Sequence, residues 1–151
     1  MIISATEKPP SQTLAMVDGC FDPLHRGHVE YFRSAASLGV PVLCNLAADE
    51  YIRIHKDRAP LLSEADRAAV IDAIRFIEYV CVTPWGTAWS LQHFRPKYYV
   101  KGTDWRGRLP ADQVRICREL GIEVVFAECV LNSSTRILKT FLENQHAGAR
   151  V

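Results

Sequence analysis

No stretch of this sequence is long and apolar enough to cross a membrane, and its opening, MIISATEKPPSQ, has no signal-peptide core. A membrane protein is therefore not expected. Net charge is also nearly absent: 18 Lys and Arg against 17 Asp and Glu leave a formal charge of +1. No global basic field draws the chain to nucleic acid or to an acidic lipid surface, so any anion it binds must be held by a local site. There is no CxxC pair among the five cysteines, which are odd in number and scattered. That argues against a disulfide framework or a zinc ribbon. Cys44 and Cys81 fall in strand-like runs and Cys117 in a helical one, so they read as buried thiols, and a reducing cytoplasm is the expected home. Internal repeats are lacking as well.

What is present is the composition of a globular domain, with 48% hydrophobic and 23% charged residues in 151. That length suits one domain with its own core and is short for two. The pattern alternates. TLAMVDG is a short apolar run ending at Gly19, VPVLCNLA is β-branched and apolar, and FIEYVCV, YYV and IEVVFAE follow as further strands. Helical spacing is seen from Gly27 to Leu38, in SEADRAAVIDAIRF behind Ser63, in ADQVRICRELG behind Pro110, and from Ser134 to Asn144. Strands separated by helices imply right-handed crossovers. The expected fold is therefore a single doubly wound α/β domain, Rossmann-like, with a five-stranded parallel sheet. Residues 1–12 are expected to be a loose N-terminal segment, 13–144 the domain, and 145–151 a tail or linker of the kind found in an excised domain of a larger chain.

One turn concentrates the chemistry. In DGCFDPLHRGHVEYF the first strand ends at Gly19, Cys20, Phe21, Asp22 and Pro23 follow, and a helix begins near Gly27. In such folds ligands bind beyond the carboxyl ends of the strands. Gly19 and Gly27 leave the backbone open to a ligand, and free amides at a helix start favour an anion. His25 and His28 at the same point can donate to phosphate oxygens and steady charge that builds during transfer. Zinc on His25, His28 and Cys20 is the competing reading. Arg26 beside them and the lack of a fourth ligand weigh against it. Ser133, Ser134 and Thr135 at a later helix start suit phosphate oxygens as well as capping. Lys56 lies in a polar segment able to close over a triphosphate. Trp105 could stack on a base, and Asp104 could hold ribose or base hydrogen bonds.

The string from Gly19 to His28 resembles the HxGH signature of the nucleotidyltransferase superfamily, and within it the cytidylyltransferase-like group. The resemblance runs from about Leu14 to Leu142. Asp49 in AADEY resembles the acid after the second strand, and Arg67 and Arg75 match two arginines of the following helix in glycerol-3-phosphate cytidylyltransferases. KGTDWRG, with Lys101, Gly102, Asp104 and Trp105, resembles the GxDWxG segment of those enzymes, and its KGxD part resembles heptose-phosphate adenylyltransferases. NSSTRI is similar to their terminal motif, with Arg136 in the basic position. Glu128 stands where the glycerol-3-phosphate enzymes carry an arginine, which argues against glycerol 3-phosphate as the acceptor.

The resemblance implies a cytidylyltransferase that couples CTP to a small phosphate or phosphonate and releases pyrophosphate, with Mg²⁺ as cofactor and a homodimer as the assembly. His25, His28, Lys56 and Arg136 would act on the phosphates. Gly19, Cys20, Phe21, Asp22, Gly27, Lys101, Gly102, Asp104, Trp105, Ser133, Ser134 and Thr135 would bind the nucleotide. Asp49, Arg67 and Arg75 would hold the acceptor. No metal ligand is assigned on the protein, magnesium being held mainly by the triphosphate. An adenylyltransferase acting on a sugar 1-phosphate is the first alternative, and a nucleotide-sensing module without turnover the second.

Overall fold

The computed structural model describes residues 1–11, 13–128 and 134–148. Six strands form one parallel sheet: β1 (Ile2–Ile3), β2 (Ala15–Gly19), β3 (Val42–Ala47), β4 (Tyr79–Thr83), β5 (Tyr98–Gly102) and β6 (Glu123–Ala127), in spatial order β1-β4-β3-β2-β5-β6. The helices are α1 (Arg26–Ala36), α2 (Asp49–His55), α3 (Glu64–Asp72), α4 (Gly86–Phe94), α5 (Ala111–Leu120) and α6 (Ser134–Gly148), with a short 3-10 turn at Thr103–Trp105. The Rossmann-like α/β expectation holds. Among the described residues no helix is long and apolar enough to cross a membrane.

Two elements of the expectation are corrected. The sheet has six strands, because Ile2–Ile3 pairs in parallel with Val80–Cys81 of β4. Those two residues are therefore not part of a loose segment; a two-residue apolar run carries no readable period. The helix expected through Phe76 stops at Asp72, with Ala73 as its C-cap.

Alternation along the strands sorts the core. Ala15 and Val17 face a cluster containing Phe32 of α1 and Ile71 of α3. Leu14, Met16, Leu43, Cys81 and Tyr99 face the opposite cluster, with Leu91 of α4 and Ile116 of α5. Period-two alternation then predicts that Asp18, Asn45, Thr83 and Lys101, two residues beyond Met16, Leu43, Cys81 and Tyr99, share the α4/α5 face at the carboxyl ends of four neighbouring strands. Asp18 and Asn45 are register partners on β2 and β3. A polar row thus forms where the apolar core ends.

Candidate active site

A cleft of about 430 Å³ opens over that row, within the range of small-molecule sites. The turn after β2 forms one wall. Phe21 is buried with φ 48°, and its ring packs edge-on against His28 at 4.9 Å. A Cβ on Gly19 would lie 2.9 Å from Cζ of Phe21. The missing side chain at 19 therefore makes room for the phenyl ring, a role distinct from the expected approach to a ligand. Gly27 is buried within α1.

His25 and His28 stack with ring centroids 3.7 Å apart. The backbone N–H of His25 donates to Nδ1 of His28 at 3.3 Å. Burial and the neighbouring His25 push the pKa of His28 down to about 3, and burial lowers that of His25. Both rings are neutral at physiological pH in the free protein. With Nδ1 of His28 occupied as an acceptor, its proton resides on Nε2, and His28 lines the cleft. Both ring nitrogens of His25 are buried with no hydrogen-bond partner among the described residues, and His25, expected beside His28 on the phosphates, is not part of the cleft lining.

On the floor, the Asp18 carboxylate accepts from Lys101 Nζ at 2.8 Å, from Thr87 Oγ1 at 2.6 Å and from Tyr99 OH at 3.2 Å. Lys101 also lies 4.3 Å over the Trp105 ring. Beside Asp18, Asn45 Oδ1 accepts from the Thr83 hydroxyl at 2.7 Å and the Ser90 hydroxyl at 3.0 Å. Asp18, Asn45, Thr83, Tyr51 and Thr87 line the cleft and were not anticipated from the sequence. Only the register of β2 and β3, which a single sequence does not display, places Asp18 next to Asn45.

The predicted residues divide. Gly19, Cys20, Phe21, Asp22, His28, Lys56, Lys101, Gly102, Asp104, Trp105, Ser134 and Thr135 line the cleft together. Ser134, opening α6, donates from its hydroxyl to the Pro23 carbonyl at 2.8 Å, which brings that helix start to the histidine turn. Ser133 lies outside the described residues. Arg136 is exposed in the first turn of α6 and is not part of the cleft lining. The Cys20 thiol is pushed up by burial, so it is not a thiolate nucleophile at neutral pH.

Four of the expected site residues have their charged groups engaged by the protein itself or turned to its surface. The Asp22 carboxylate is buried and accepts from Arg58 Nη1 at 2.6 Å and from the Leu61 and Leu62 amides. It fastens the Lys56–Leu62 loop, so its bonds are spent on the protein. Burial pushes its carboxyl up, but the Leu61 amide, Arg58 and the Leu62 amide together hold it below the usual range. Arg67 is 2% exposed and donates to the carbonyls of Leu62, Cys20 and Ala47 and, at 2.7 Å, to Asp49. Arg67 and Asp49 are thus a buried tie between β2, β3 and α3, and neither lines the cleft. Arg75 lies beyond the end of α3, exposed, 5.9 Å over the Phe76 ring. The early stop of the helix removes it from the face it was expected to share with Arg67.

A second hollow of about 440 Å³ lies between α5 and β6, lined mainly by apolar residues such as Leu109, Val114, Ile122 and Phe126. Among the described residues it holds no histidine or carboxylate, and Arg118 is its one charged side chain. Histidine and carboxylate side chains gather in the first cleft.

Comparison with known proteins identifies the family. The family model described as Cytidylyltransferase-like matches residues 16–141. The bifunctional protein HldE of Geobacter sulfurreducens is 37% identical over 105 residues, 68% of this chain and 21% of that protein. Its namesake in Campylobacter fetus is 32% identical over 99 residues, 64% of this chain and 22% of that protein. The chain therefore spans about a fifth of the length of these curated relatives. Among solved structures, the lipopolysaccharide core biosynthesis protein of Thermoplasma volcanium superposes with a TM-score of 0.67 at 22% identity, covering 79% of this chain and 98% of that one. A protein of unknown function from Archaeoglobus fulgidus superposes with a TM-score of 0.56 at 22% identity, covering 77% of this chain and 89% of that one.

Proposed function

The chain belongs to the cytidylyltransferase-like family of nucleotidyltransferases, and from that premise we propose that it transfers a nucleotidyl group from a nucleoside triphosphate to a small phosphate-bearing acceptor. An acceptor oxygen attacks the α-phosphorus in line, the new P–O bond forms as the bond to the β-phosphate oxygen breaks, and pyrophosphate leaves. The observation that carries this reading is His28, stacked on the ring of His25 at the start of α1 and lining a cleft that also gathers Lys56, Arg58 and the start of α6.

Each part has a physical task. Neutral His28 donates from Nε2 to a phosphate oxygen, and that bond strengthens as charge accumulates in the transition state. Lys56, Arg58 and the Thr135 hydroxyl supply positive charge and a donor for the remaining oxygens, while Ser134, bonded to the Pro23 carbonyl, holds the start of α6 against the histidine turn. Among the described residues no three His, Cys, Asp or Glu side chains converge as a metal site. The Mg²⁺ proposed with the nucleotide would be carried by the phosphate oxygens.

The base is a finer question. The DWxG segment favours CTP with a phosphate or phosphonate acceptor, but it is a short signal. The HldE relatives align over 99 to 105 residues and favour the other reading, adenylyl transfer from ATP to a sugar phosphate such as a heptose phosphate. We give that reading first place. Pyrophosphate release from equimolar ATP and CTP, with sugar phosphates, alkyl phosphates and phosphonates as acceptors, tests it by product ratio. Mainly adenylylated product is expected. Mainly cytidylylated product restores CTP, and no release with any pair overturns the nucleotidyl-transfer reading.

A further inference from the structure

The floor of the cleft holds one buried donor with nothing to donate to. Asn45 is 4% exposed, and its Oδ1 takes hydroxyl bonds from Thr83 and Ser90. With Oδ1 as the shared acceptor of these two hydroxyls, Nδ2 is the end of the amide left over. Nδ2 therefore turns the other way. No described residue accepts from it, yet it is not among the sealed polar atoms that lack partners, and Asn45 lines the cleft. An amide held this way, with its N–H groups open to a cavity, is prepared for a ligand oxygen.

The register partner of Asn45 defines the chemistry of that oxygen. Asp18 is fixed by Lys101, Thr87 and Tyr99, and its carboxylate presents acceptor lone pairs beside the Asn45 donor. A hydroxyl can accept from Nδ2 and donate to the carboxylate or to the Thr87 oxygen. A phosphate at this point would meet the negative charge of Asp18. The pair therefore matches an uncharged, hydroxyl-bearing part of a substrate.

Geometry also says which substrate. The histidine turn caps β2, and the proposed nucleotide wall (Lys101, Trp105, Ser134) lies on its β5 and α6 side. Asn45 and Thr83 lie on the other side, on β3 and β4. With the nucleoside assigned to that wall, the β3 and β4 side of the floor is the part left for the acceptor.

We infer that Asn45, held in place by Thr83 and Ser90, reads a hydroxyl on the uncharged portion of the acceptor, and so makes the enzyme select hydroxyl-bearing phosphates over plain alkyl ones. This inference rests on the proposed nucleotidyl transfer. Asn45 is a specificity-determining residue, and Ser90, which is fully buried, is a positioning residue acting through it.

The test is pyrophosphate release by the full chain, with ATP and CTP, on aldose 1-phosphates of five to seven carbons and on ethyl phosphate and ethylphosphonate. The native protein is expected to favour one or more aldose phosphates over the hydroxyl-free anions by at least about tenfold in kcat/KM. Asn45→Ala should lower that ratio about tenfold or more, through the acceptor KM more than the nucleotide KM. Ser90→Ala, a small change in a helix, should lower it about threefold by freeing the amide to rotate. A native preference for the hydroxyl-free anions overturns the inference and leaves nucleotidyl transfer standing. So does an Asn45→Ala effect confined to the nucleotide KM, which would place the ribose there. If Asn45→Ala does not fold, an unchanged ratio in Ser90→Ala overturns it. No release with any pair overturns the underlying reaction.

Discussion

The His25 backbone amide lies 3.3 Å from Nδ1 of His28, so the second histidine enters the cleft as a neutral ring with its proton on Nε2. This one contact sets both the tautomer and the direction of the donor. A donor aimed at developing charge is typically worth about 10² to 10³ in rate. His28→Ala is expected to lower kcat at least a hundredfold, with a much smaller rise in the nucleotide dissociation constant. Steady-state kinetics beside equilibrium nucleotide binding check it; unchanged turnover would move the chemistry elsewhere.

Acid should expose the same histidine in the stability curve. Its pKa is about 3 in the fold against an ordinary 6.5, so between those values the unfolded chain binds a proton that the native state refuses. Stability is full above about 6.5 and declines as pH falls toward 3. Thermal melts of the native protein and His28→Asn should therefore converge as pH drops from 7 to 4. A constant gap would show that the ring titrates normally.

Arg67 and Arg75 look alike in the sequence and should behave oppositely. Removing Arg67 strands three carbonyls and leaves Asp49 without its ion-pair partner, so Arg67→Ala should cost about 3–5 kcal/mol. Arg67→Lys should recover little, because an ammonium cannot reproduce the fork. Arg75→Ala should stay within about 0.5 kcal/mol. Urea unfolding of the three variants decides, and equal costs for the two alanine variants would refute the distinction.

The Asp22 carboxylate ties down the loop that carries Lys56 and Arg58 into the cleft. Asp22→Asn keeps its volume and loses the ion pair. The nucleotide KM is expected to rise about tenfold, the effect of roughly 1.4 kcal/mol of lost binding, while kcat changes less. An unaltered KM would separate the loop from the nucleotide.

Much of this architecture is legible in the sequence because apolar period and helix stops are local signals. The strand at Ala15–Gly19 and the helix closed before Gly39 lie close to where their patterns put them. The missed helices lack such signals. α2 starts on Ala48, which has no capping side chain; its first amide, that of Asp49, is satisfied by Glu64 from α3. α4 starts on Trp85, again without a side-chain cap, followed by Gly86 at φ 76°. The histidine turn was readable because its residues are contiguous. The Asp18–Asn45 floor was not, since it exists only once strands β2 and β3 lie side by side in register. Arg67 and Asp49 were found as residues but not in their roles, because burial is decided by packing that charge alone does not reveal.

The close fit of Gly19 beneath the Phe21 ring has a consequence for the history of the sequence. A side chain at 19 would meet Cζ, Cε1 and Cε2 of that ring at 2.9 to 3.2 Å, and the ring is itself pressed between His28 and Phe32. The two positions are therefore coupled: a Cβ at residue 19 requires the phenyl ring to move or to be replaced by something smaller, so a change at one site is felt at the other.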